Sequence, residues 1–341
     1  MLRKTLLLLM LVAVVVTWSC AKQDAADQAT DPAEEAYSAV RTAMSDAETA
    51  EEKTLLYEGY LAEFPDTERS GGLAGAVAYY RGHEMGDPEG AYRILDAALA
   101  KIEDPEQRFG VAMEALTFAD SVDVPYSIAD VAGALAEVRS LDYSENQQVA
   151  MTAVDLEEWA VADAYAHAAV DLATPEIYQA DYPDREFTAE QLSNRAGRRY
   201  AESLAYAGWA QYNLGNLENA FARFAAADEA GSVSYTGVPN TPLYEFWGRA
   251  ALAEGEIDSA VELLGAQTLF GEDGSSAKPY LREAYVAKNG SEDGFDEFLW
   301  ATRNELAAEV DDFELLDYEG NPYRLSDAGD KVVLLAFWFP T

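Results

Sequence analysis

The chain has 341 residues, and its 62 acidic against 23 basic side chains leave a net charge of −39 at pH 7. That length can bury the cores of one long or two ordinary domains, and the acidity excludes nucleic acid and anionic lipid head groups as partners of the body. A single cysteine, Cys20, excludes a disulfide framework, a Cys-rich metal site and a thiol nucleophile within that body.

The first segment carries Arg3 and Lys4, an apolar run from Leu6 to Val16, and then Thr17-Trp18-Ser19-Cys20 before polar Ala21-Lys22-Gln23-Asp24. This is the layout of a signal peptide, too short for a bilayer-spanning helix of about 20 apolar residues. The small Ser19 before Cys20 resembles a bacterial lipobox, although Thr17 and Trp18 depart from its usual residues. The resemblance implies lipidation of Cys20 and a mature protein tethered by several acyl chains, since two chains already anchor stably. Ala21 after the cysteine favours the outer membrane, with the body facing the periplasm. Loss of residues 1–19 removes Arg3 and Lys4 and no acid, so the mature body is more acidic still. With few lysines, that acidity reads first as a solvated surface suited to salt.

Ala21 to Pro32 is rich in Ala, Asp and Gln without apolar period and reads as a flexible tether. Helical periodicity then predicts helices over Glu35–Ser45, Glu51–Phe64, Leu73–Met85, Pro88–Ile102, Pro105–Ser121, Ile128–Ser140, Glu145–Leu156, Trp159–Ala173, Ala189–Leu214, Leu217–Ala230, Pro242–Glu254, Ile257–Ala266 and Phe295–Glu309. Thr188 with Gln191 forms a capping box for one of them. No strand is predicted before residue 312.

These helices come in pairs that resemble one another. Gly208, Gly215, Ala220, Phe224 and Ala227 recur 40 residues on as Gly248, Gly255, Ala260 and Leu264, with Gln267 departing at the last place. Gly86, Ala91, Leu95 and Ala98 repeat part of the pattern, and a degenerate unit runs from Ala150 through Trp159, Ala162, Ala166 and Ala169. A small residue on each helix lets the axes approach, Gly ends the first helix, and the large residue fills the gap. The pattern resembles the tetratricopeptide repeat. That resemblance implies an all-α solenoid of stacked helical hairpins, each unable to bury its apolar stripe alone, with a protein partner held on the repeats. Leu55-Leu56-Tyr57 to Phe64-Pro65-Asp66 resembles a unit of exported repeat lipoproteins.

The end of the chain changes character. Phe313-Glu314-Leu315-Leu316-Asp317 alternates like a strand, Tyr318 to Pro322 is turn chemistry, Tyr323-Arg324-Leu325 returns, and Val332 to Phe339 suits a buried parallel strand. The stretch Asp312 to Thr341, with Leu325-Ser326, Gly329, Lys331 and Phe337-Trp338 at the matching spacing, is similar to the opening of the thioredoxin-like redoxins, in the branch of thiol-disulfide oxidoreductases and their peroxidase relatives. In that family a Cys-x-x-Cys follows at a helix N-terminus, where the dipole lowers the thiol pKa. The given residues stop at Thr341, so no catalytic residue is assigned. An ordinary fragment, a frameshift, or a UGA codon read as selenocysteine at the nucleophile position each account for that stop.

Other constellations carry less. His83 and His167 lie on separate predicted helices and read as surface or core residues rather than metal ligands. Asn289-Gly290-Ser291-Glu292-Asp293-Gly294 resembles half a calcium loop, but Trp300 stands where the bidentate Glu belongs, so a turn beside a helix is expected. No Gly-rich phosphate loop follows a strand, no Ser-His-Asp pattern is present, and no cofactor is expected. Trp159, Trp209 and Trp247 read as repeat core, with a concave binding face as the second reading.

The expectation is a signal peptide at 1–19, a lipidated Cys20 with tether at 20–33, a tetratricopeptide-like helical domain at 34–309 and the incomplete thioredoxin-like α/β segment at 310–341. Two functions follow. The full-length product is a thiol-disulfide oxidoreductase or peroxidase-like redoxin whose repeats hold a protein partner, the chain as given lacking the sulfurs; or the protein is a non-enzymatic scaffold lipoprotein for envelope assembly or uptake.

Overall fold

The computed structural model describes residues 31–119, 121–231, 242–270, 274–306, 311–316 and 319–329. Fifteen α-helices and one two-stranded sheet make up the described structure, and both strands lie after residue 312. No described helix is long and apolar enough to cross a membrane. The chain divides into two compact units, one ending at Arg139 and one beginning at Ser140.

The first unit contains α1 (Pro32–Met44), α2 (Ala50–Glu63), α3 (Ser70–Tyr79), α4 (Pro88–Leu99), α5 (Pro105–Leu116) and α6 (Ile128–Ala136). Their starts follow from capping chemistry. Asp31, Asp87 and Asp104 each accept a hydrogen bond from the first turn, and each precedes a proline whose missing N–H costs nothing there. Thr49 with Glu52 and Ser127 with Asp130 form capping boxes. Ala74, Ala78, Ala91, Leu95, Ile102, Val111, Ala115 and Phe118 make the main core.

The sequence predicts one helix over Leu73–Met85, but the backbone instead leaves the α-helix after Tyr79 and makes a π-turn over Tyr80–Glu84. Gly82 sits in that turn. A β-carbon there would lie 2.3 Å from the Phe118 ring, so the missing side chain makes room for a buried aromatic. Arg81 holds the turn outward by pairing with Glu58 at 2.6 Å and Asp87 at 3.1 Å.

The second unit contains α7 (Tyr143–Asp155), α8 (Trp159–Leu172), α9 (Pro175–Asp181), α10 (Ala189–Asn213), α11 (Leu217–Ala230), α12 (Leu243–Ala253), α13 (Ile257–Phe270), α14 (Gly274–Asn289) and α15 (Phe295–Leu306). The Thr188–Gln191 capping box starts α10. Neighbouring helices pair as α7 with α8, α10 with α11, α12 with α13 and α13 with α14.

Three of these connections share one geometry. Gly215 and Gly255 both have φ +81°, and Glu157, at the matching place of the degenerate unit, has φ +58°. In each, the following N–H reaches back five positions: Asn216 to the Gln211 carbonyl, Glu256 to Ala251 and Glu158 to Ala153. This is a Schellman closure, which satisfies carbonyls the helix end would leave bare. Across the pairs, a β-carbon on Gly208 would meet the Phe224 ring at 2.6 Å, and one on Gly248 would meet Leu264 at 2.6 Å. Ala150, Ala162 and Ala166 are fully buried in the degenerate unit, where alanine provides the close approach.

Two helices were not anticipated by periodicity, α9 and α14. The first has only seven residues, and the second carries Pro279 and a polar composition that blurs its apolar stripe. Several predicted helices also ran too far: α4 ends at Leu99 and α5 at Leu116, while Ile102 and Phe118 beyond those ends fold back into the core.

At the end of the described chain, β1 (Glu314–Leu316) pairs antiparallel with β2 (Pro322–Arg324) in the register Glu314 to Arg324, Leu315 to Tyr323 and Leu316 to Pro322. A 3₁₀ turn, Leu325–Ala328, follows. The predicted strand Val332 to Phe339 lies outside the described residues.

Candidate functional site

Cys20, the predicted lipid attachment point, lies outside the described residues, as do the signal peptide and most of the tether. The structure instead brings together a set of aromatic and charged side chains on α10, α12 and α14 of the second unit.

Its floor is aromatic. Trp209 of α10 stacks on Phe246 of α12 with ring centres 5.2 Å apart and on Tyr212 at 5.5 Å, and Trp159 meets Trp209 edge-on at 6.5 Å. Tyr206, one turn earlier on α10, packs edge-on against Phe246 at 5.4 Å. The predicted core role of Trp209 holds, since it is 7% exposed, and Trp247 stacks on the buried Phe224.

Over this floor lies one cation. The Arg249 guanidinium sits 4.5 Å from the Trp209 ring and 4.2 Å from the Tyr280 ring, a geometry in which the ring faces attract positive charge. Its partner is Glu245, one helical turn away at 3.2 Å. Glu245 is buried, and its second oxygen accepts a hydrogen bond from Ser276 Oγ at 2.5 Å, so the carboxylate is satisfied on both sides. One ionic unit thereby ties three helices together.

The surroundings are acidic. Burial, and then the charges of Glu202, Asp155 and Glu245, raise the Tyr206 phenol above its ordinary pKa. It therefore stays a neutral hydrogen-bonding group at working pH. Tyr212 donates to Glu254 at 3.2 Å on the same side. With Trp209 and Phe246 each 7% exposed and Arg249 already over the Trp209 ring, the arrangement is a packed junction of helices with carboxylates around it.

Sequence reasoning found Trp159 and Trp209 but missed Tyr206, Glu245, Arg249 and Tyr280. Arg249 was within reach, because it stands one repeat after Trp209 and four residues after Glu245. Tyr280 was hidden by the missed helix α14.

The other singled-out residues are placed as follows. His83 lies 5.2 Å from the Tyr79 ring and 5.9 Å from Phe118, in the first unit. In the second, His167 Nδ1 is 2.9 Å from the Asp163 carbonyl, and its Nε2 accepts from Arg223. Among the described residues no cluster of three or more His, Cys, Asp or Glu side chains is arranged for a metal ion. Asn289 to Gly294 forms the turn between α14 and α15, with Gly290 at φ +79° and Gly294 at φ +83°.

In the terminal hairpin, Ser326 donates from its N–H and its Oγ to the two oxygens of Asp312, both at 2.9 Å. Arg324 Nε pairs with Glu314 at 2.8 Å across the strands. Leu315, Leu316 and Tyr323 are exposed.

A scan against protein-family models gives no match, and a search of curated proteins finds no similar protein.

Proposed function

We propose that this is a cell-envelope lipoprotein, anchored through Cys20, whose helical hairpins form a tetratricopeptide-like solenoid that holds a protein partner beside a thioredoxin-like redox domain. The observation that carries the repeat reading is the shared geometry of the three turns at Glu157, Gly215 and Gly255, with the tight approach of Gly208 to Phe224 and of Gly248 to Leu264. Like closures 40 residues apart at Gly215 and Gly255 fit a stack of like hairpins, with the turn at Glu157 as a more distant relative. The net charge of −39 supports a cationic partner segment.

The hairpin of β1 and β2 supports the redoxin reading, since an antiparallel turn in that place, followed by Leu325-Ser326, is the expected opening of such a domain. On this reading the gene product is a thiol-disulfide oxidoreductase or a peroxidase-like redoxin, working by thiolate attack through a mixed disulfide.

The nucleotide sequence past the codon for Thr341 tests the redox half. Cys or a recoded UGA in frame, two further residues and Cys are expected, with insulin-reduction or peroxide turnover in the encoded protein. Several closely spaced stops would leave the non-enzymatic scaffold.

A further inference from the structure

In the first unit α3 and α5 lie side by side and run in the same direction. The Gly71 N–H donates to Gln107 Oε1 at 2.9 Å near their starts, and Gly82 packs on Phe118 beyond their ends. Between those ties stands a row of aromatic and titratable side chains. Tyr79 is 51% exposed, its ring centre lies 5.2 Å from that of His83, and His83 in turn lies 5.9 Å from the Phe118 ring. Glu114, one turn before Phe118, lies within the field of His83.

Glu114 is a carboxylate without a partner. It is partly exposed, no hydrogen bond or ion pair engages its side chain among the described residues, and neither of its oxygens is sealed from solvent. Burial raises its carboxyl above the ordinary range, and the attraction of His83 offsets only part of that. Arg81, in the same π-turn as His83, is taken by Glu58 and Asp87. A half-buried carboxylate left in this way is relieved by a proton or by a positive ligand.

The ground in front of the row is open. Helical side chains lean back toward the N-terminus, so Glu114 leans over the turn containing Gly110 and Tyr79 over the turn containing Gly75. A β-carbon at either glycine would meet nothing within 4 Å.

We propose that Glu114 and Tyr79, which flank His83, bind the alkylammonium head of a small amine or of a lysine side chain. The carboxylate supplies the counter-charge, the exposed Tyr79 face attracts the cation, and the bare glycine turns admit its methylene stem. An anion is repelled there, and a neutral ligand leaves the carboxylate uncompensated. The site lies within the first unit and stands independently of the repeat and redox readings.

The test is calorimetric titration of the full chain on phosphatidylcholine nanodiscs, with empty nanodiscs subtracted, at about pH 7 and about 0.15 M salt to screen the overall charge. The probes are butylammonium, butanol and the peptide acetyl-Gly-Lys-Gly-amide. Butylammonium should bind about ten-fold tighter than butanol, the worth of one charge-assisted hydrogen bond. Glu114→Gln should bring those two affinities together, and Tyr79→Leu should weaken butylammonium about three-fold. Gly110→Leu, which adds a side chain at an exposed helical position, should block butylammonium and peptide with the thermal midpoint retained. Tighter binding of the peptide than of butylammonium assigns the site to a protein partner, and equal affinities assign it to free amines; both support the ammonium site. No preference for butylammonium over butanol, a preference that survives Glu114→Gln, or undiminished binding in folded Gly110→Leu would each overturn the proposal.

Discussion

The Phe224 ring occupies the space that a β-carbon on Gly208 would need, 2.6 Å away, and the Ala220 carbonyl oxygen lies 3.3 Å from the same point. This contact makes α10 and α11 a close-packed pair, and it has no adaptable element on the α10 side. Gly208→Ala must push a rigid, fully buried ring, and Ala220→Leu must push apart two helices. Each should cost about 1–3 kcal/mol, read as a lower urea midpoint of the purified chain by circular dichroism. A midpoint unchanged in both variants would remove this pair as a stabilising contact.

The three like turns make a sharper contrast. Nothing lies near a β-carbon placed on Gly215 or Gly255, so the cost of adding one is the left-handed backbone alone, about 1 kcal/mol. Glu157 already bears that strain, at φ +58°. Gly215→Ala and Gly255→Ala should lower the thermal midpoint, and Glu157→Gly should raise it or leave it level. Equal losses from all three would mean that the turn conformation is not what these positions select.

Gln267 stands where the repeat elsewhere has alanine, and it is buried with its Oε1 unpartnered among the described residues. A buried orphan acceptor costs about 1–3 kcal/mol. Gln267→Met, of similar length without the polar atoms, should therefore stabilise the α13 region, measured by hydrogen exchange of its amides. A faster-exchanging α13 would show that the amide has a role this accounting omits.

Hydrogen bonds from the Ser326 N–H and hydroxyl hold the Asp312 carboxyl below the ordinary carboxylate range. A depressed folded pKa means that the ionised carboxylate favours the closed hairpin. That contribution is complete above the unfolded value near pH 3.9 and is lost as pH falls through the lower folded value. Protection of the Leu325 amide, which donates to Phe313, should drop below about pH 4. Asp312→Asn should show weak protection at pH 7 already; full protection in that variant would sever the link.

Cys20→Ser should leave the protein unprocessed or release it from the membrane. A matured variant still found in the detergent phase would show that the anchor is elsewhere.

Much of the helical architecture was legible because its signals are local. Pro88 and Pro105 at two helix starts, Thr188 with Gln191, and the Gly-Gly-Ala spacing from Gly208 all act within a few turns, whereas Asp31-Pro32, read as tether, in fact opens α1. Helix ends were legible only to within a few residues, because apolar side chains such as Ile102 and Phe118 continue the pattern after the backbone has turned. The π-turn at Tyr80 was invisible, since the ring packed on its Gly82 comes from Phe118, on another segment. The aromatic floor was half legible for the same reason: tryptophans announce themselves, whereas Glu245 and Arg249 acquire meaning only from Ser276 and Tyr280 across the packing.

The pairing of Gly208 with Phe224 also bears on how the chain reaches its native state. The two residues belong to adjacent helices joined by one tight turn, as do Gly248 and Leu264, so only short loops need close before buried contacts form. Proteins dominated by such near-neighbour contacts search few wrong topologies and fold fast for their length. The contacts within each hairpin can therefore begin to form as soon as its second helix is available, and stacking on the neighbouring hairpin then completes the burial.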